Sequence, residues 1–317
     1  MRKLAVFSAS AVFSAALFVT TTAQQPSGAV AIDPDDIGGV VRGPNGPEAG
    51  VWVIAETRDL PVRYIKSVVT DDQGRFVIPD LPKARYSVWA RGYGLVDSDK
   101  ATSDPGRLVN ITAKPAPDAA AAAHYYPAIY WYSMLHIPTD AELKNTDLFR
   151  ASMSQRQWLG SMKNLGCIGC HQLGQLSTRT IPASLGTFKS GEDAWHRRVQ
   201  SGQAGAMMFG QLNNLGRGSY KLYGEWTDRI AKGELPKTKP ERPQGVERNI
   251  VVTLRDWMNE KQYLHDLISS DRRNPTVNAN GPVYGSPEYS SDMMPILDVV
   301  ENKATCLLYT SPSPRDS

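Results

Sequence analysis

The chain has 317 residues, 41% hydrophobic and 21% charged, with 22 prolines and 26 glycines, which excludes a collagenous, coiled-coil or wholly disordered protein. Its 35 Lys and Arg stand against 32 Asp and Glu, a net charge of +3, and setting aside the two ends treated below leaves 32 against 31. No basic footprint for nucleic acid remains.

At the start, Arg2 and Lys3 precede an apolar stretch from Leu4 to Val19, and small residues follow up to Ala23, ahead of Gln24 and Gln25. Basic, apolar and small segments in that order predict a secretory signal over residues 1–23, cleaved near Ala23. The apolar stretch falls short of the ~20 residues that a membrane span needs, and no later stretch reaches it. The expectation is an exported protein, periplasmic or secreted, that meets the membrane only through an uncleaved signal.

From Ile37 to Thr112 short β runs alternate with turns. Gly39-Val-Val-Arg42, Val51-Trp-Val-Ile-Ala55, Phe76-Val-Ile78 and Tyr86-Ser-Val-Trp-Ala90 are separated by Pro44-Asn-Gly-Pro47 and by Asp71-Asp-Gln-Gly74. This punctuation predicts a small antiparallel β-sandwich over residues 37–113. Asp71 and Asp72 stand where a tight turn wants Asp and Gly74 admits positive φ, a reading preferred to calcium ligation. With Gly39-Val-Val41, Ala49-Gly-Val51, the Thr70–Phe76 hairpin and Leu81-Pro82 leading to Tyr86, the segment resembles a carboxypeptidase regulatory-like, or transthyretin-like, domain. The resemblance implies a scaffold, or a module that binds a surface glycan. Lys114-Pro-Ala-Pro-Asp then opens a linker and aromatic segment over 114–138, which includes Tyr125–Tyr132.

The chemistry is carried by Cys167-Ile-Gly-Cys170-His171. C-x-x-C-H is the attachment signature of c-type haem. Thiols at this spacing add across the two vinyl groups on one porphyrin edge, and the adjacent imidazole then falls beneath the iron as proximal ligand. A thioredoxin-like dithiol would want a βαβ setting, and a zinc ribbon a second Cys pair; neither is present. Around the motif, Trp158, Met162 and Leu165 have helical spacing in a segment from Ser152 to Leu165. Ser190-Gly-Glu-Asp193 starts a second helix with Ala194, Trp195 and Val199 on one side, ended by Gly202. A third begins at Ser219 and carries Tyr223, Trp226 and Ile230 before Gly233.

This order, with the motif on the first helix, resembles a small monohaem cytochrome c domain over residues 139–236. The resemblance implies one covalent haem c and a methionine as sixth ligand. The candidates are Met207 and Met208, in a segment expected to be a loop, with Met162 assigned to the core. His124 and His136 are the less favoured alternatives, and His196 is expected to face solvent or a hydrogen-bond partner.

Residues 236–243 read as a Pro/Lys-rich linker. Strand-like Arg248–Trp257 and turn-rich Asn274–Tyr284 resemble the entry to a streptogramin-lyase-type β-propeller, begun over 243–305 and truncated. Residues 306–317, Cys306-Leu-Leu-Tyr-Thr-Ser-Pro-Ser-Pro-Arg-Asp-Ser317, read as a translated sequencing adapter.

The expected fold class is therefore multidomain α+β: an antiparallel β-sandwich, an all-α cytochrome c domain and an incomplete β-rich segment. The expected function is one-electron transfer to a redox partner protein or an attached domain, with Cys167, Cys170, His171, Met207 and Met208 as cofactor-binding residues and no substrate-turnover site visible. The alternatives are a haem sensor whose distal position takes a small ligand, and a cell-envelope binding protein that works through its sandwich.

Overall fold

The computed structural model describes residues 30–163, 167–169, 171–202, 204–257, 266–268, 273–278, 281–286 and 293–308. The expected signal over 1–23, Cys170 of the motif and residues 309–317 lie outside the described residues. The architecture is mixed α+β, with strands first, helices in the middle and strands again at the end.

The first part holds β1 (Ile37–Gly43), β2 (Gly46–Pro47), β3 (Trp52–Thr57), β4 (Arg63–Val69), β5 (Arg75–Ile78), β6 (Tyr86–Arg91), β7 (Leu95–Val96), β8 (Ala101–Ser103), β9 (Arg107–Leu108), β10 (Ile111–Thr112) and β11 (Lys114–Pro115). One sheet is built on β1, which pairs with β2, β5, β9 and β10; in the other, β4, β3, β6 and β8 lie side by side. Alternation decides the faces: along β3, Val53, Ala55 and Thr57 are buried while Trp52, Ile54 and Glu56 point to the outer face. The inward side chains of both sheets, among them Ile37, Val41, Val53, Tyr64, Phe76, Ile78, Tyr86 and Val88, form one core.

The expected antiparallel pairing holds except at β1, which runs parallel to β9 and β10. The Asp71 turn closes as its chemistry dictates. The carboxylate accepts from the backbone N–H of Gln73 (2.9 Å) and Arg75 (2.8 Å), and Gly74 sits at φ +72°. A Cβ at Gly74 would come within 2.5 Å of the Val41 carbonyl oxygen, so glycine is required there. Further along, Tyr86 is fully buried and donates its hydroxyl to the Pro82 carbonyl (2.8 Å), which fixes the corner before β6.

Lys114–Ala123 is not the extended linker its composition suggests. Lys114–Pro115 pairs with Leu95–Val96, and Asp118 caps α1 (Ala119–Ala123) by accepting from the Ala121 N–H at 2.8 Å. Five consecutive alanines are strong helix formers once a cap is supplied.

The helices continue with α2 (Ala128–Tyr132), α3 (Gln155–Lys163), α4 (Leu176–Arg179), α5 (Gly191–Arg198), α6 (Gly205–Leu215) and α7 (Arg217–Ala231). Helix α3 starts three residues later than expected. Helix α5 starts at its expected cap, where Ser190 Oγ accepts from the Asp193 N–H at 3.1 Å, but ends at Arg198, short of Gly202; α7 starts at Arg217, ahead of Ser219, which lies buried within the helix, and Gly233 follows it at φ +93° as expected. The expected loop before α7 is instead α6. Its Ala-Met-Met-Phe-Gly-Gln-Leu run contains no proline and no β-branched residue, and Gly216 at φ +93° ends it.

Three buried indoles pin these helices onto α7. Trp158 Nε1 donates to Ser219 Oγ (3.0 Å), Trp195 Nε1 to Thr227 Oγ1 (3.0 Å) and Trp226 Nε1 to the Trp131 carbonyl (2.9 Å). Where α5 crosses α7, Gly191 faces Gly224 so closely that a Cβ on Gly224 would stand 2.4 Å from the Gly191 carbonyl carbon.

The last part contains β12 (Val252–Asp256), β13 (Asp266–Ile268), β14 (Val283–Ser286), β15 (Met293–Asp298) and β16 (Lys303–Leu308). A 3₁₀ turn, Gly245–Asn249, shortens the strand expected from Arg248. Strand β12 does not open a separate unit: it pairs antiparallel with β4 and widens the sandwich sheet. The other four strands form an antiparallel meander, and β16 extends through Cys306 to Leu308. The 236–243 stretch is docked rather than free, because Arg242 donates to Glu48 (2.6 Å) and to the Tyr93 carbonyl (3.0 Å).

Candidate functional site

The helical part encloses a cavity of about 390 Å3. Its walls are mostly apolar: Leu173 after the motif, Pro182 and Leu185 from the following loop, Trp195 from α5 and Val199 at its C-cap, Leu212 from α6 and Tyr223 from α7. Cys167 and His171 stand together in this wall. Cys167–Gly169 forms a 3₁₀ turn beyond α3, and the His171 N–H donates to the Cys167 carbonyl at 2.9 Å, which folds the two side chains toward one space.

Met208 lines the same cavity from the first turn of α6. Met207, one position earlier and therefore about 100° around the helix, is 47% exposed and outside the lining. Met162 is fully buried in the α3 core and accepts from the Tyr223 hydroxyl at 3.3 Å. Among the other described histidines, His124, His136 and His196 are all exposed. His136 bonds to Glu142 (3.0 Å), and His196 faces the Tyr220 and Phe209 rings and Gln200.

The electrostatics of the cavity favour uncharged donors. Burial, and then the Arg198 charge, lower the pKa of His171 and so favour the neutral imidazole that binds a metal. Burial, and then the neighbouring Cys167 thiol, push the Tyr223 hydroxyl well up, so it stays protonated and able to donate. Arg198 lines the cavity, lies 5.2 Å over the Trp195 ring and donates to the carbonyls of Ser177 and Thr180, tying the loop beyond the motif to α5. Behind that loop, Arg179 is buried, donates to the Gly174 carbonyl (2.7 Å) and lies 4.1 Å over Trp131.

The C-x-x-C-H spacing pointed to Cys167 and His171, and the resemblance to a small cytochrome c domain pointed to the methionine pair. Arg198 and Arg179 escape such a reading, since only the fold shows that these two cations are turned inward. Among the described residues no three His, Cys, Asp or Glu side chains cluster together. No helix among the described residues is long and apolar enough to cross a membrane. No protein-family model matches the chain, and no curated protein matches it.

Proposed function

We propose that the chain is an exported electron-transfer module that carries one covalent haem c in the cavity beside His171. The observation that carries this reading is the convergence of Cys167, His171 and Met208 on one apolar cavity, from two stretches of chain, the first singled out by its C-x-x-C-H spacing and the second by the resemblance to a small cytochrome c. These residues fit the group chemically. Two thiols, Cys167 and Cys170, would hold the macrocycle through thioethers, a neutral imidazole would serve as proximal ligand and a thioether would stand as distal ligand. When bound, the group supplies reversible one-electron exchange.

The protein's own residues provide the rest. Leu173, Val199 and Leu212 exclude water, which favours the less charged oxidation state. Tyr223 keeps its proton and donates within the wall, and Arg198 holds the covering loop. Export fits the chemistry, because covalent haem attachment in bacteria takes place outside the cytoplasm. The four-stranded meander at the end supports, at the level of one blade, the likeness to a propeller entry.

The test is spectroscopic, on protein made in a host competent for haem attachment. A near-infrared methionine-to-ferric-iron band and indifference to carbon monoxide are expected, both lost in Met208→Ala and both kept in Met207→Ala. Rapid carbon monoxide binding by the unaltered protein would instead favour a sensor with an open distal position.

A further inference from the structure

Away from this cavity, the outer face of the sandwich carries a second one, of about 330 Å3, that the electron-transfer reading does not use. Strands β3, β4 and β12 supply its floor. Trp52 lies opposite Val69, and Val252 opposite Ser67, so these four side chains share the face turned away from the core. Tyr93 stands at the edge with its ring 4.9 Å from Trp52 and nearly perpendicular to it. The docked 236–250 stretch closes the other side with Pro243, Ile250 and two carboxylates, Glu241 and Glu247.

The charge pattern identifies the ligand. Three arginines stand around this face, and each is occupied elsewhere: Arg91 is bidentate on Asp97 (2.7 Å twice), Arg242 is on Glu48 (2.6 Å) and Arg248 on Asp72. Glu241 and Glu247 have no cationic partner among the described residues; Glu247 only accepts the Gln244 N–H at 3.2 Å. Two exposed carboxylates without a cationic partner, beside an indole and a phenol at the mouth of a pocket whose wall is held in place by Arg242, form an environment that attracts an organic cation. A neutral sugar would stack on the rings but would gain nothing from two negative charges.

We infer that this pocket binds a quaternary alkylammonium group such as a choline-like headgroup. The aromatic rings would meet the apolar shell of the cation, and Glu241 and Glu247 would neutralise its charge. This site does not depend on the haem reading and can be tested in protein with or without the cofactor.

The experiment is calorimetric titration of the full chain with choline, and separately with 3,3-dimethyl-1-butanol, its neutral isostere. Saturable one-to-one binding of choline is expected, weakened about tenfold or more for the neutral isostere and in the double variant Glu241→Gln, Glu247→Gln. Glutamine at 247 can still accept the Gln244 N–H, so the turn survives, and circular dichroism of the variant should match that of the parent. Trp52→Ala is expected to abolish binding and Trp52→Phe to retain part of it. Equal affinity for the two isosteres, binding of a neutral disaccharide but not of choline, or no binding of choline up to the solubility limit of the titration would each overturn the inference.

Discussion

Glu142 shows how a single exposed carboxylate is tied into local structure. It accepts from the backbone N–H (2.7 Å) and hydroxyl (2.9 Å) of Thr139 and faces His136 at 3.0 Å. The Thr139 N–H first, and His136 second, hold its pKa down to about 2 from the ordinary 4.5. A pKa lower in the folded chain than in the unfolded one means that the contribution is complete above pH 4.5 and disappears as the pH falls through about 2. Glu142→Gln should therefore lower the urea midpoint at pH 7 and leave it nearly unchanged at pH 2; equal losses at both values would contradict this assignment. Ser219 offers a buried counterpart, because Ser219→Ala leaves the Trp158 indole N–H without its acceptor and is expected to cost about 1–3 kcal/mol in denaturant unfolding. At this scale the motif spacing singled out Cys167 and His171, which the structure places in the wall of one cavity. The sequence was silent on choosing Met208 over Met207, because neighbours in sequence separate only once the segment is known to be helical.

Among the elements, the α5–α7 crossing depends on two glycines. Gly224→Ala would drive a methyl against the Gly191 backbone and is expected to destabilise the fold by about 1–3 kcal/mol, with a lower Tm and, in the cofactor-loaded protein, a perturbed spectrum because Trp195 and Tyr223 flank the cavity. An unchanged Tm would show that the helices can separate at no cost. Caps and stripes made α5 and α7 legible, since Ser190, Gly233 and the Tyr223–Trp226–Ile230 spacing all act locally. Strand β4 was hidden for the opposite reason. Its inward positions are Tyr64, Lys66 and Val68, and a lysine on the core side breaks the apolar alternation. Lys66 is tolerated there because its ammonium donates to the carbonyls of Pro79 (2.6 Å) and Asp80 (3.1 Å), partners supplied by a distant turn; burial lowers its pKa. Helix α6 was hidden by its glycines, which suggest a loop, and is stabilised by packing of Leu212 and Leu215 in the core.

In the whole molecule, sandwich and helices share an aromatic seam. Tyr93 meets Trp52 on one side and Tyr126 (6.2 Å) on the other, Arg91 lies 5.0 Å over Tyr125, and Arg242 pins the 236–243 stretch to Glu48. Composition marked both joining stretches as linkers, since proline and lysine carry no periodic signal; only tertiary partners reveal that they are fastened. Arg242→Ala should therefore accelerate tryptic cleavage after Lys237 while leaving the helical part intact, and unchanged cleavage would mean that the stretch is held by other contacts. The proposed electron transfer requires a porphyrin joined to the peptide around His171, and the most direct measurement is the intact mass of the mature chain, together with its colour after acid-acetone extraction, following expression in a host that attaches haem. The expected result is a mass higher by one haem and a red colour that stays with the protein, both abolished by replacing Cys167 and Cys170 with serine. An apo mass with no retained colour in the unaltered protein would contradict it.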